Sequence, residues 1–197
     1  MCSFISPRLP PPSISSIQDY ARTLLRNGQA FMDNTPMEQM REERSNRVES
    51  KHRNQSPEEG LALFERLVKG DPSVMEYCLR AKIDMASDNG TLRDPVLYRG
   101  NTTPHHRTGT KFHAYPTYDF VCPIVDSIEG VTHCLRTTEY TDRDFQYHIL
   151  QDMLKLRKVR RLVANKNEEE EERVCQAHLG RWCFYECFSW CFFSSFS

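Results

Sequence analysis

Residues 115–144, reading YPTYDFVCPIVDSIEGVTHCLRTTEYTDRD, narrow the possible folds more than any other part of the chain. One short segment combines an apolar run at 120–125, a Glu129-Gly130 turn, an Arg136-Thr137-Thr138 cluster and the acids Asp142 and Asp144. A plain core segment has no use for so many specific polar groups, so a core and a site are both expected here. The run at 120–125 has the composition of a parallel strand buried on both faces. A turn, a second strand and a helix should follow. The helix is expected over 144–158, with Ile149, Leu150, Met153 and Leu154 turned inward.

Upstream, the pattern is helical first and sheet-like later. Order is expected from about Ser16, where Ile17, Tyr20, Ala21, Leu24 and Leu25 recur at helical spacing before an Asn27-Gly28 stop. Thr35-Pro36-Met37-Glu38 and Ser56-Pro57-Glu58-Glu59 both read as capping boxes with proline at the first helical position. The second of these helices shows Leu61, Phe64, Leu67 and Val68 on one face and stops near Gly70. Residues 37–53, rich in Glu and Arg, read as a solvated helix supported by close ion pairs. From Glu76 the period changes. Tyr77, Leu79, Ala81, Ile83 and Met85 alternate with polar neighbours as in a half-buried strand. Further strands are expected at 95–98 and 111–114, with the loop NTTPHHRTGT between them. His105-His106 there has no cysteine or acid at ligand spacing and reads as a solvated turn.

Charge and length exclude several functions. The net charge of -1 gives no global basic field, so any RNA contact must use local patches. The start, MCSFISPRLPPPSISS, lacks a charged n-region followed by an apolar h-region, and no apolar run reaches the roughly 20 residues of a membrane-spanning helix. A cytoplasmic protein is expected. Cys78, Cys122 and Cys134, scattered singly in apolar segments, fit thiols kept reduced there.

The two ends differ from the middle. Residues 1–15 are rich in proline and serine and should be poorly ordered. Beyond Lys158 come a basic knot, five glutamates at 168–172, and a segment crowded with Cys, Phe and Trp. Spacing alone would permit a zinc set from Cys175, His178, Cys183, Cys187 and Cys191. No strand or turn pattern accompanies it, so no metal site is expected and the tail reads as unrelated to the rest.

Four motifs carry a family resemblance: LRAKIDM (79–85), RDPVLYR (93–99), RTGTKFHAYPTYDF (107–120) and DSIEGVTHCLRTTEY (126–140). In this order and spacing, between residues 17 and 158, the chain resembles the class I glutamyl-tRNA synthetases of archaea and the eukaryotic cytosol. The fold this implies is α/β, a partial Rossmann-like nucleotide-binding fold with an α+β acceptor-binding insertion. The implied parts are a helical segment of the catalytic region (16–70), the antiparallel insertion (71–114), the second half of the nucleotide fold (115–158) and a low-order tail (159–197). By the same resemblance Tyr118, Cys122 and Arg136 should line a glutamate pocket. Thr137 and Glu139 should lie at ATP, and Asp142 should face the acceptor stem. The glutamine enzymes carry cysteine where Arg136 stands and histidine where Cys122 stands. A guanidinium suits a γ-carboxylate, through two charge-assisted hydrogen bonds, better than it suits a neutral amide.

The reaction implied is ATP-dependent attachment of glutamate to tRNA-Glu through a glutamyl-adenylate, with Mg²⁺ accompanying ATP. Partners implied are tRNA-Glu, glutamate, ATP and, in a complex, other synthetases; the parent could be fused to a prolyl-tRNA synthetase. Neither an H-I-G-H element nor a K-M-S-K-S type loop occurs in the sequence. The expectation is a chain truncated at both ends and inactive alone. The alternatives left open are a non-catalytic fragment that binds the tRNA acceptor stem and a glutaminyl-tRNA synthetase.

Overall fold

The computed structural model describes residues 13–104 and 108–164. Most of the proline-rich lead-in, the His105-His106 pair, the glutamate run and the Cys/Phe/Trp segment lie outside them. So does the zinc set considered above. Among the described residues no helix is long and apolar enough to cross a membrane. The chain divides into two compact units, Ile14–Val121 and a second from Cys122 onward.

In the first unit, α1 (Ile14–Arg26) buries Ile14, Ile17, Ala21, Leu24 and Leu25 along one stripe. It starts slightly ahead of Ser16 because Ile14 joins the core. A four-stranded antiparallel sheet follows, in the order β1 (Ala30–Asp33), β2 (Cys78–Ala81), β3 (Val96–Gly100) and β4 (Ala114–Pro116). The strand at 30–33 carries no sequence signal of its own, being four residues between a helix stop and a helix start. The strands expected at 95–98 and 111–114 lie slightly further along the chain. The half-buried strand expected from Glu76 is shorter than its alternating pattern, and all four residues of β2 are buried. Arg80, on the nominally polar face, is fully enclosed because it pairs with Asp33 at 2.6 Å and donates to the Asp94 carbonyl at 2.9 Å.

Between β1 and β2 lie α2 (Met37–Asn46) and α3 (Pro57–Lys69). The Ser56 cap forms, its hydroxyl accepting from Glu59 N at 3.2 Å. The Thr35 cap does not. Pro36 takes the cap position without a side-chain bond, and the Thr35 hydroxyl donates to Asp33 at 2.5 Å. A buried carboxylate must be satisfied, and this need outranks a surface cap. Helix α2 buries no residue, as its charge pattern predicts, yet Arg44 in its last turn and Arg47 just beyond it do more than face water. Arg44 donates to the Gly90 carbonyl at 2.7 Å, and Arg47 pairs with Asp88 at 2.6 Å. The core of this unit centres on Leu24, Leu25, Phe31, Met32, Phe64, Leu67, Leu79, Leu97 and Tyr98.

Three carboxyls of this unit titrate below their ordinary range. Burial works to raise Asp33, but the Thr35 hydroxyl and the Arg80 guanidinium more than offset it. The Arg22 guanidinium holds Glu65 down, and the Ser73 hydroxyl and N–H bring Asp71 to about 2. Each group therefore binds its proton more readily in the unfolded chain. The stabilisation is complete above the unfolded values of about 4 and is lost as pH falls through the folded ones. The melting temperature of the unit should thus be nearly level from neutral pH to about 5 and drop between about pH 4 and 2. Melts followed by circular dichroism across that range check it; a level profile down to pH 2 would contradict it.

The run at 120–125 is not a strand. It forms the middle of α4 (Tyr118–Ile128), within which the division between the units falls. Residues 122–127 are all buried. A helix enclosed on nearly every side and a strand enclosed on both faces give the same unbroken apolar run. Pro123, interior to the helix, removes one intrahelical donor but leaves the helix continuous. The Glu129-Gly130 turn is present and ends this helix. Gly130 is left-handed (φ 74), with Val131 N bonded to Asp126 O at 3.0 Å and Gly130 N to Ser127 O at 3.4 Å.

Beyond it the second unit contains β5 (His133–Thr137), a 3₁₀ turn at Thr138–Arg143, α5 (Asp144–Met153) and β6 (Arg160–Ala164). Strands β5 and β6 pair in parallel, from His133 with Arg160 to Thr137 with Ala164. With α5 as the connection this is a βαβ unit, the building block of a Rossmann-like fold. The helix is shorter than expected, ending at Met153 rather than near Lys158, and Leu156 N closes its end on the Gln151 carbonyl at 2.8 Å. Of its expected inward residues, Leu150 and Leu154 are buried, while Ile149 and Met153 are only half-buried. Tyr147, Gln146 and Gln151 fill the remaining inner positions. Regular structure continues past Lys158, where the sequence pattern breaks, because β6 completes the parallel pair.

Candidate functional site

The polar end of β5 runs directly into the 3₁₀ turn at Thr138–Arg143. Arg136 lies near the end of β5, its side chain 16% exposed, and Thr137 is the exposed last residue of the strand. Glu139 and Asp142 stand exposed on the 3₁₀ turn. Cys122 is buried on α4. Tyr118, one helical turn earlier, is the half-buried first residue of α4 and belongs to the Ile14–Val121 unit. It opens a helix, whereas the sequence pattern placed it on or beside a strand.

Arg136 is held by a residue to which sequence reasoning gave no role. Asp126, fully buried on α4, accepts from Arg136 Nη2 at 3.4 Å and from the Tyr147 hydroxyl at 2.9 Å, both through Oδ2. Burial and the Asp126 charge push the Tyr147 phenol well above its ordinary range, so it remains a donor at any physiological pH. Burial and the same carboxylate raise the Cys134 thiol to about 12. Cys78 in the first unit rises to about 11, first through burial and then through Asp33. Neither thiol ionises at neutral pH, which excludes both as nucleophiles.

The basic knot at 157–161 supports this arrangement. Arg157 Nη2 donates to the Val131 carbonyl and, at 3.4 Å, to that of Asp126, while Ser127 Oγ donates to the Arg157 carbonyl at 2.9 Å. Arg161 pairs with Asp144 and lies 5.1 Å over the Tyr147 ring. Asp126 had a legible signal, an acid closing the apolar run FVCPIV. Tyr147 had only a helical stripe to mark it. Among the described residues no group of three His, Cys, Asp or Glu side chains converges to hold a metal.

The arrangement offers a fixed cation at a strand end, beside exposed hydroxyl and carboxylate groups. That can orient an anionic small molecule; it supplies no activated nucleophile.

Residues 13–175 match the model of a family described as tRNA synthetases class I (E and Q), catalytic domain. The chain is 57% identical over 143 residues to the bifunctional glutamate/proline–tRNA ligase of Cricetulus griseus, covering 73% of this chain and 10% of that protein. It is 54% identical over 142 residues to the cytoplasmic glutamate–tRNA ligase of Saccharomyces cerevisiae, covering 72% and 20%. A probable cytoplasmic glutamate–tRNA ligase of Schizosaccharomyces pombe matches at 49% over 146 residues. The chain thus spans between 10% and 20% of the length of these curated relatives.

Proposed function

The chain belongs to the class I tRNA synthetases of the glutamate and glutamine type, through their catalytic domain, and on that premise we propose that it serves glutamate–tRNA ligation by selecting the amino acid. In that reaction a glutamate α-carboxylate oxygen attacks the α-phosphate of ATP, giving glutamyl-adenylate and pyrophosphate. The glutamyl group then passes to the terminal adenosine of tRNA-Glu, releasing AMP. The protein's part is mainly positioning and stabilisation of charge. Mg²⁺ arrives with the ATP phosphates, as that ion commonly does.

On this reading Tyr118, Cys122 and Arg136 hold glutamate, Thr137 and Glu139 lie against the nucleotide, and Asp142 faces the first base pairs of the acceptor stem. The observation that carries it is Arg136, a partly exposed guanidinium braced by the buried Asp126. A γ-carboxylate can take two charge-assisted hydrogen bonds from that fork, and a γ-amide cannot match it. The site works in the cytoplasm, in keeping with the names of the yeast and Arabidopsis thaliana relatives. Association with other synthetases would parallel the bifunctional make-up of the hamster protein.

Calorimetric titration of L-glutamate and L-glutamine into the chain tests this. Glutamate should bind at least about tenfold more tightly, because hydrogen bonds to a charged group contribute about 1.5–3 kcal/mol. Arg136→Cys should remove the preference. Equal binding of both amino acids, or a preference that survives Arg136→Cys, would refute the assignment.

A further inference from the structure

We propose that the Tyr147–Asp126 pair is the positioning device of Arg136 and thereby sets the preference for a γ-carboxylate over a γ-amide; the second half of this rests on the glutamate reading above. An arginine side chain rotates about several bonds, and the freedom it keeps before binding is lost when a ligand is held. A carboxylate is recognised in bidentate fashion only when the plane of the guanidinium is fixed. Asp126 supplies one fixed point. It is 0% exposed, it lies on α4, and a single Oδ2 takes both the Tyr147 hydroxyl at 2.9 Å and Arg136 Nη2 at 3.4 Å.

The contact from Asp126 runs through one oxygen, at 3.4 Å, and ties one end of the guanidinium to α4. Tyr147 is itself held in place. The Arg161 guanidinium lies 5.1 Å over its ring, and Arg161 pairs with Asp144 at the start of the same helix. Elements α4, α5 and β6 thus converge on one side chain of β5. Neither Asp126 nor Tyr147 needs to touch the amino acid; both act through Arg136.

The test uses the full 197-residue chain, with ¹⁵N-labelled arginine side chains observed by NMR and the Arg136 signals assigned from an Arg136→Lys variant. Tyr147→Phe removes only the hydroxyl. It should speed rotation of the Arg136 guanidinium about Nε–Cζ and reduce the L-glutamate to L-glutamine affinity ratio about tenfold, the factor equivalent to about 1.4 kcal/mol. Asp126→Asn, which removes the carboxylate charge that holds Arg136, gives a second reading if Tyr147→Phe does not fold, with the same direction expected. Faster rotation together with a lost preference supports the proposal. Unchanged rotation in a variant that still discriminates overturns the positioning role and leaves the glutamate reading standing. A wild-type chain that binds both amino acids alike, with Arg136 loosened by Tyr147→Phe, overturns the selectivity claim and the glutamate reading together.

Discussion

Arg80→Ala should destabilise the Ile14–Val121 unit by about 3–5 kcal/mol, the cost of stranding one member of a buried ion pair. Small domains are stable by only about 5–15 kcal/mol, so this loss removes a large share of the unit's stability. Arg80 and Asp33 are 1% and 0% exposed, and their contact is 2.6 Å. The same guanidinium reaches the Asp94 carbonyl at 2.9 Å and lies 5.5 Å over the Phe31 ring. Asp94 is buried too, pairing with Arg53 at 2.7 Å and accepting from Ile83 N at 2.9 Å. Removing Arg80 leaves Asp33 with the Thr35 donors but no counter-ion, so Asp33 should fold only as the protonated acid. Urea unfolding followed by circular dichroism should show a much lower midpoint at neutral pH and partial recovery near pH 4. A loss below about 1 kcal/mol would place the pair among those that contribute little.

That network also shows what the sequence could and could not reveal. Helices α1 and α3 were legible because amphipathic spacing and an Asn-Gly or Ser-Pro-x-Glu boundary act locally. The identity of α4 was not. Local pattern measures burial, and residues 122–127 are buried whichever backbone they adopt. Thr35 read as a cap because its neighbours satisfy the cap rule, yet the decisive partner, Asp33, is a buried acid held also by Arg80 on the neighbouring strand β2, far along the chain. In the site, Arg136 was legible through the CLRTTE motif. Asp126 showed only as an acid closing an apolar run and Tyr147 only as part of a helical stripe; each is 0–5% exposed, and their roles lie in a contact between separate elements. Strand β6 hid for a related reason. Its arginines resemble a solvated run, and only the parallel pairing with β5 shows their place.

Phe64→Ala should cost about 3–5 kcal/mol, the range for emptying a buried aromatic site. Phe64 on α3 meets Tyr98 on β3 edge-to-face, with centroids 5.4 Å apart, and Tyr98 meets Phe120 on α4 at 5.8 Å. All three are 0% exposed, and each such pair adds about 0.5–1.5 kcal/mol beyond the area it buries. The chain of rings ends at Phe120 in the first turn of α4, the turn that also carries Tyr118. Losing Phe64 therefore removes support from a proposed pocket residue as well as from the core. The Tyr98 hydroxyl offers an internal control. It is buried without a hydrogen-bond partner among the described residues, so Tyr98→Phe keeps the ring packing and should cost nothing or stabilise slightly. In urea unfolding the two variants should move the midpoint in opposite directions, or Tyr98→Phe should leave it unchanged. If Tyr98→Phe were as damaging as Phe64→Ala, the hydroxyl and not the stack of rings would be holding the start of α4.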